Sequence, residues 1–154
     1  MSHASVLADL AARAPELRVI DGHASTATVA DAALALGVEP GRIAKTLTIR
    51  AGGQALLLVT RGDARLDNAK AKAAFGGRPR MLGADEVLAL TGHPVGGVCP
   101  FGLATPLPVF CDLSLRDFGI VYPAAGSRTS SVRVAPDRLA GIVGARWVDA
   151  CVRA

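Results

Sequence analysis

Lys45 is the first residue in this sequence whose position suggests chemistry. It begins the alternating segment KTLTIR, residues 45–50, in which positions 45, 47 and 49 of a strand would point to one face. The ammonium would then lie at the end of an apolar stripe, where it needs water or an anion. Two interpretations stay open: a surface lysine that reaches solvent, or a cation at the mouth of a pocket that holds a phosphate or a developing negative charge.

The second candidate is the loop from Gly92 to Gly102, which contains four glycines and two prolines in eleven residues. Glycines allow close approach of the backbone to a ligand, and prolines stiffen the path of the chain. Such a loop can direct consecutive N–H groups at one oxygen, an arrangement that stabilises an oxyanion. The alternative is an ordinary tight turn between a helix and a strand.

Several other kinds of site are missing from the sequence. It contains no GxxxxGK[ST] phosphate loop, no strand-linked GxGxxG and no G-x-S-x-G elbow. The three histidines and three cysteines lack the spacing of metal ligands or of a disulfide framework. We interpret His23 and His93 as loop residues rather than bases. The sequence therefore predicts no metal, no cofactor and no identifiable side-chain base.

The composition bounds the class of protein. With 154 residues, 51% of them hydrophobic and 19% charged, the chain is expected to form one globular domain over residues 1–154. No apolar run reaches the roughly 18 residues of a membrane helix, and Asp9 and Arg13 interrupt the region where a signal peptide would be apolar. We expect a cytoplasmic protein. The net charge of +4 permits a polyanionic partner without requiring one.

The hydrophobic pattern predicts short strands, tight connections and few helices. Helices are expected near 6–11, from the caps Ser25 and Thr26 to Leu36, and over 68–74, 85–90 and 136–143. Strands are expected at 17–20, 45–50, 55–59, 80–82, 108–112, 120–122 and 131–134. This pattern favours an α+β fold, with a mixed, largely antiparallel curved sheet and flanking helices.

Five short motifs carry a resemblance to a known family. They are IAKTL at 43–47, GD at 62–63 with LD at 66–67, TG at 91–92, GGVCPFG at 96–102 and PVFCD at 108–112. In this order they resemble the YbaK/EbsC family of aminoacyl-tRNA deacylases, which is related to the editing domain inserted in bacterial prolyl-tRNA synthetases. The similarity extends from Ala24 to Asp149 and implies the fold of that editing domain.

The resemblance implies a function in translation fidelity. It implies hydrolysis, in trans, of the ester between a wrong amino acid and the terminal ribose of tRNA, mainly proline tRNA. The mischarged tRNA is the expected partner, with transient contact to prolyl-tRNA synthetase or an elongation factor. A small amino acid such as alanine, serine or threonine is the expected cargo. Deacylation of Cys-tRNA(Pro), or a non-catalytic tRNA-binding or regulatory module, are the alternatives.

The resemblance also implies roles for particular residues. Lys45 is the residue most closely tied to activity, and Gly96 and Gly97 would present backbone groups to the scissile carbonyl. The residues expected to bind substrate are Ser25, Thr26, Thr46, His93, Val98, Cys99, Pro100, Asp112 and Gly126. Asp112 has a second interpretation, as the cap of a following helix. At His93 and Cys99 the chain departs from the family's usual residues, which leaves the exact specificity open.

Overall fold

The computed structural model describes residues 2–25 and 27–153. Within them lie five α-helices, namely α1 Ser2–Arg13, α2 Val29–Leu36, α3 Asn68–Phe75, α4 Ala84–Thr91 and α5 Pro136–Val143. The strands are β1 Val19–Asp21, β2 Ile43–Ala51, β3 Gln54–Arg61, β4 Arg65–Leu66, β5 Arg80–Met81, β6 Val109–Asp112, β7 Tyr122–Pro123, β8 Ser130–Val132, β9 Arg146–Val148 and β10 Cys151–Val152. Two 3₁₀ turns, Pro40–Arg42 and Leu113–Asp117, complete the path. None of these helices is long and apolar enough to cross a membrane.

The main sheet is built around the hairpin of β2 and β3. Gly52 and Gly53 form its two-residue turn, which pairs Ala51 with Gln54 and fixes the register of the hairpin. The strand order is β5-β2-β3-β6-β9, and β7 also pairs with β2. Among the described residues β2 pairs antiparallel with β3 and β5, whereas β2–β7, β3–β6 and β6–β9 are parallel. The predicted mixed α+β fold is confirmed, and the parallel pairs concentrate in this sheet.

Both faces of the sheet are covered, which explains the unbroken apolar run of β3. Leu57 and Val59 point into the larger core beneath α1 and α5, and Leu56 and Leu58 point into a second cluster on the other face. Because the two faces alternate along a strand, an all-apolar strand must be buried on both sides. The central strand is therefore rigidly held, and β2 is fixed against it.

The start of α2 differs from the prediction. The helix begins at Val29, and its cap is Thr28, whose hydroxyl oxygen accepts a hydrogen bond from the Asp31 N–H at 3.1 Å. Ser25 is exposed and lies before the helix, and Thr26 lies outside the described residues. All three are good capping residues, so composition alone does not select one. The helix ends at Leu36, as predicted, and Gly37 follows it with a φ of +67°.

Candidate functional site

A gap in the pairing of β2 opens into a cavity that contains Lys45. On the side away from β3, β2 pairs with β7 at Ile43 and Ala44 and with β5 at Ile49 and Arg50. Residues 45–48 lie between these two pairings, with no strand beside them among the described residues. A cavity of about 310 Å³ opens at this gap and is lined by Lys45, Thr46, Leu47 and Thr48. Its volume is at the lower end of the roughly 300–1,000 Å³ typical of ligand sites.

Three other elements close the cavity. The first turn of α2 and the residue before its cap provide one wall, with Ala27, Thr28 and Val29. Met81 and Leu82, after the start of β5, together with Val87 of α4, provide a second. The third consists of Val95, Gly96 and Val98 from the glycine-rich loop, with Ala124 and Ser131. The cavity is therefore mostly apolar, and its few polar groups come from β2, Thr28 and β8.

Lys45 lies where the sequence predicts, at the end of an apolar stripe. Leu47 and Ile49, two and four residues along the same face of β2, belong to the second hydrophobic cluster. The Lys45 ammonium is half-buried and donates a hydrogen bond to the carbonyl oxygen of Ala64 at 2.6 Å. Burial lowers the pKa of Lys45, and the nearby side chains of Cys151 and Asp63 oppose that shift. The side chain also contributes to the cavity wall.

Thr46 combines an unpaired side-chain hydroxyl with a backbone that faces the gap, as far as the described residues show. Its hydroxyl oxygen is buried and makes no hydrogen bond among the described residues. The Thr48 carbonyl accepts from the Leu82 N–H at 3.1 Å, so the backbone of Thr48 points away from β3. Backbone groups two residues apart on a strand point to the same side, so the N–H and C=O of Thr46 also face the gap. A buried hydroxyl without a partner is costly, which points to a ligand at this position.

The glycine-rich loop forms a tight turn beside the cavity. The Gly97 N–H donates to the Pro94 carbonyl at 2.9 Å, and Gly96 has a φ of +91°, which favours glycine at the third position of this turn. The Val95 carbonyl accepts from Arg128 Nε at 2.9 Å. Because the N–H of a trans peptide points opposite to its carbonyl, the Gly96 N–H points away from Arg128.

Gly96 and Gly97 therefore differ in role. Gly96 lines the cavity, whereas the Gly97 N–H is already used within the turn. A Cβ on Gly97 would lie 2.9 Å from the Ser127 nitrogen and 3.0 Å from the Gly126 carbonyl carbon. Gly97 thus allows close packing of two loops, and the N–H that the resemblance assigns to the substrate is bonded within the turn in this structure.

Three residues of the loop that were expected to bind substrate point elsewhere. The His93 side chain is fully buried and donates from Nε2 to the Phe101 carbonyl at 2.7 Å, and burial lowers its pKa. Cys99 is also fully buried, and burial raises the pKa of its thiol to about 12. Pro100 is buried beside a separate cavity near Asp9. Of this part of the prediction, Val98 alone lines the candidate site.

Asp112 and Gly126 are also placed outside the cavity lining. The Asp112 carboxylate accepts from the Ser114 N–H at 3.0 Å and from the Ala150 N–H at 2.8 Å, so it is a cap. Gly126 has a φ of +85°, and a Cβ there would lie 2.7 Å from the Ser2 carbonyl oxygen. Its role is close packing against α1. Ser25 does not line the cavity, and the expectation for Thr26 lies outside the described residues.

Sequence reasoning missed several groups at the cavity. In the sequence, Thr28 looks like an ordinary residue at the start of a helix. Thr48 and Ser131 look like ordinary strand residues. Ser131 lines the cavity, and its hydroxyl oxygen lies 3.0 Å from Nε2 of His23, a residue expected to be a simple loop histidine. The polar alternation of β2 could have indicated Thr48. The other contacts depend on long-range packing that no local pattern encodes.

The described part of the chain contains no group of three or more His, Cys, Asp or Glu side chains that could hold a metal ion. Among the described residues, the cavity lining offers the Lys45 cation, Thr28, two threonines of β2 with an open strand edge, and Ser131. This set can bind an uncharged or anionic polar group and orient it against apolar walls.

Comparison with known sequences identifies relatives of this chain. The aminoacyl-tRNA editing domain family matches residues 23–142. The protein YwhH of Bacillus subtilis, which is uncharacterized, is 46% identical over 135 residues, covering 86% of both chains. A proline–tRNA ligase of Citrifermentans bemidjiense is 34% identical over 134 residues, which are 82% of this chain and 23% of the ligase. Enterococcus faecalis EbsC, named as a candidate Cys-tRNA(Pro)/Cys-tRNA(Cys) deacylase, is 28% identical, with 84% of this chain and 78% of EbsC covered.

Solved structures give the same result. A crystal structure of a candidate trans-editing enzyme for prolyl-tRNA synthetase matches with a TM-score of 0.88 and 37% identity, covering 97% of this chain and 96% of that one. The crystal structure of the hypothetical protein APE2540 matches with a TM-score of 0.88 and 33% identity, covering 96% and 99%. At these identities the likeness extends to sequence as well as fold.

Proposed function

Because this chain belongs to the aminoacyl-tRNA editing domain family, we propose that it hydrolyses the ester of mischarged tRNA in trans. The observation that carries the proposal is the cavity at the open edge of β2, where Lys45, Thr46 and Gly96 meet. Proline tRNA carrying a small wrong amino acid is the proposed substrate. The proposed location is the cytoplasm, where tRNA and prolyl-tRNA synthetase are available as transient partners.

Lys45 is proposed to hold the charged end of the substrate. Lys45 contributes to the cavity wall and its ammonium is fixed by the Ala64 carbonyl, with two donor positions left for a phosphate or ribose oxygen. Because the group is half-buried, its attraction to an anion is stronger than that of a fully solvated lysine. A fixed cation also positions the ester, which reduces the entropy lost when the substrate reaches the reactive geometry.

The edge of β2 and the loop are proposed to grip the reacting acyl group. The Thr46 hydroxyl and backbone can bind the α-ammonium, because the carbonyl and hydroxyl oxygens both accept hydrogen bonds. The Gly96 N–H, which is not committed to the turn, is the amide we assign to the ester carbonyl. A donor that meets the oxygen as negative charge develops typically lowers the barrier by about 3–4 kcal/mol.

The dimensions of the cavity support a small amino acid. Its walls include Ala27, Ala32, Ala44 and Ala124 together with larger aliphatic side chains, within about 310 Å³. One methylene group more or less on the amino acid changes the binding free energy by only about 1–3 kcal/mol. We therefore expect the cavity to accept several small amino acids. Because EbsC is named as a candidate deacylase of Cys-tRNA, cysteine is a second candidate for the amino acid that is removed.

A basic groove beside the cavity is the proposed contact for the tRNA backbone. Arg50, Arg78 and Arg80 line a groove around the β2–β3 turn. Arg80 is followed in β5 by Met81, which lines the acyl cavity, so the groove and the cavity share one edge. Arg78 and Arg80 are exposed, and Arg50 pairs with Glu86 at 3.2 Å. Guanidinium groups bind phosphates in a bidentate manner, so this groove suits the acceptor end.

The test is a deacylation assay on proline tRNA charged separately with alanine, serine, threonine, cysteine and proline. We expect loss of one or more wrong amino acids above the no-enzyme rate, with prolyl-tRNA spared. If only the cysteinyl ester is hydrolysed, Cys-tRNA(Pro) is the substrate. Tight tRNA binding without hydrolysis of any ester would favour a non-catalytic tRNA-binding module, and would overturn the proposed activity.

A further inference from the structure

A serine and a histidine form a pair at the wall of the cavity. Ser131 of β8 lines the cavity, and its hydroxyl oxygen lies 3.0 Å from Nε2 of His23. Val132, the next residue, points into the main core, so Ser131 points to the opposite side of the strand. The Ser131 side chain thus faces the site while remaining almost inaccessible to bulk solvent, with 3% of the residue exposed.

The proton positions of this pair follow from its second partner. His23 Nδ1 lies 2.8 Å from the Ala24 carbonyl oxygen, and a carbonyl can only accept a hydrogen bond. Nδ1 therefore carries a hydrogen, and in a neutral imidazole Nε2 is then an acceptor. The Ser131 hydroxyl must donate to Nε2, which leaves the lone pairs of its oxygen available to accept from a water or substrate group.

The His23 ring is held rigidly in this orientation. The His23 backbone N–H donates to the Thr129 carbonyl at 3.2 Å, which extends the antiparallel pairing of β1 with β8. In that pairing Ile20 lies opposite Ser131. The backbone bond and the two ring nitrogens together fix the residue at three points. A side chain held this firmly is suited to moving a proton, because little reorganisation is needed at the moment of reaction.

We propose that Ser131 and His23 form a proton relay that activates the water attacking the aminoacyl ester. The proposal rests on the proposed deacylase function and supplies the base that the sequence does not reveal. Ser131 is the catalytic residue, since it contacts the water, and His23 acts through it. A relay of this kind uses neutral His23 and needs no metal or cofactor.

In the proposed hydrolysis, every proton and every bond is accounted for by the water, the ester, Ser131 and His23. The water oxygen forms a bond to the ester carbonyl carbon as its proton passes to Ser131 Oγ, while the Ser131 proton passes to His23 Nε2. The bond from the carbonyl carbon to the ribose oxygen then breaks, and the same proton returns through Ser131 to that leaving oxygen. The products are the free amino acid and a tRNA with its hydroxyl restored, and His23 is neutral again.

The test compares variants that keep or remove the relay. His23→Gln keeps an acceptor for the Ser131 hydroxyl but cannot take up its proton. We expect its single-turnover deacylation rate to fall by about 10²–10⁴-fold, the usual contribution of general base catalysis, with Kd for aminoacyl-tRNA and Tm unchanged. Ser131→Ala should lose a similar factor. The double variant should be no worse than either single one, because the two residues act as a unit.

A matched control is His3→Gln, since His3 contacts the Ala125 carbonyl and Asp21 away from the cavity. It should deacylate at the wild-type rate. Retention of more than half of the wild-type rate in His23→Gln would overturn the relay. So would an acyl group found on Ser131 by mass spectrometry, which would make it a nucleophile. If the wild-type protein hydrolyses no aminoacyl-tRNA, the proposed function itself fails, and the two failures are thus distinguishable.

Discussion

The Lys45 ammonium donates a hydrogen bond to the Ala64 carbonyl oxygen, 2.6 Å away in the turn after β3. This bond joins the open edge of β2 to the loop that contains Gly62 and Asp63. It holds a cation at the end of an apolar stripe, where burial disfavours its charge and lowers its pKa. The lysine is therefore both positioned and partly desolvated, which are the two properties that an anion-binding group at an ester site requires.

The first prediction concerns alkaline pH. If activity needs the Lys45 ammonium, deacylation must decline as pH rises through the lowered pKa, and thus below the ordinary lysine value of 10.5. The measurement is the single-turnover rate against pH, with the uncatalysed ester hydrolysis subtracted at each pH. A rate that keeps rising through that range would show that the charge of Lys45 is not needed.

The second prediction concerns stability in weak acid. Burial lowers the pKa of His93 in the folded protein below its ordinary 6.5, so at intermediate pH the unfolded chain binds more protons. Neutral, buried His93 therefore contributes to the free energy of unfolding, and this contribution is fully present above pH 6.5. It is lost as pH falls through the pKa of His93 in the folded protein. The urea midpoint should decrease between about pH 7.5 and about pH 5.5. His93→Gln should have a smaller decrease, and an equal decrease in both proteins would contradict this account.

The third prediction concerns packing of the glycine-rich loop. Gly97→Ala places a Cβ 2.9 Å from the Ser127 backbone nitrogen, so the two loops must separate. We expect the free energy of unfolding to fall by about 1–3 kcal/mol, as for other overpacked sites. Gly119→Ala is the control, because a Cβ there meets nothing within 4 Å. Denaturant titration of both variants measures the difference, and equal stabilities would refute the packing role.

The fourth prediction concerns the basic groove. Arg78→Ala and Arg80→Ala should each weaken tRNA binding and reduce the slope of log K against log salt by about 0.7–0.9, the value for one phosphate contact. Arg133, which is also exposed, lies outside the groove and supplies the control Arg133→Ala. Binding titrations at several salt concentrations give the slopes. Unchanged slopes in both groove variants would place the tRNA elsewhere.

Local patterns predicted the parts of the fold that have local causes. The strands expected at 45–50 and 55–59 correspond to β2 and β3, and the helix expected at 68–74 corresponds to α3. The short strands β4, β9 and β10 were not predicted. β10 pairs Cys151 with Leu66, far away in sequence, and two residues are too few to show a period.

In the candidate site, too, features with a local cause were predicted, and features that depend on long-range packing were not. The face on which Lys45 lies followed from strand alternation, but its acceptor, the Ala64 carbonyl, is set by the path of the chain after β3. His93 looks like a loop residue in sequence, yet it is fully buried because the Phe101 carbonyl gives it a partner. The gap beside Thr46 exists only because β5 and β7 pair with different parts of β2.

The central claim is that Lys45 at this cavity is required for hydrolysis of aminoacyl-tRNA. The most direct measurement compares single-turnover deacylation by wild type, Lys45→Met and Lys72→Met, using the mischarged proline tRNA that the wild type hydrolyses best. Lys72 is an exposed lysine of α3, so its substitution removes the same side chain away from the cavity. We predict that Lys45→Met falls to the no-enzyme rate while retaining the wild-type Tm, and that Lys72→Met is unaffected. Full activity in a folded Lys45→Met protein would contradict the account.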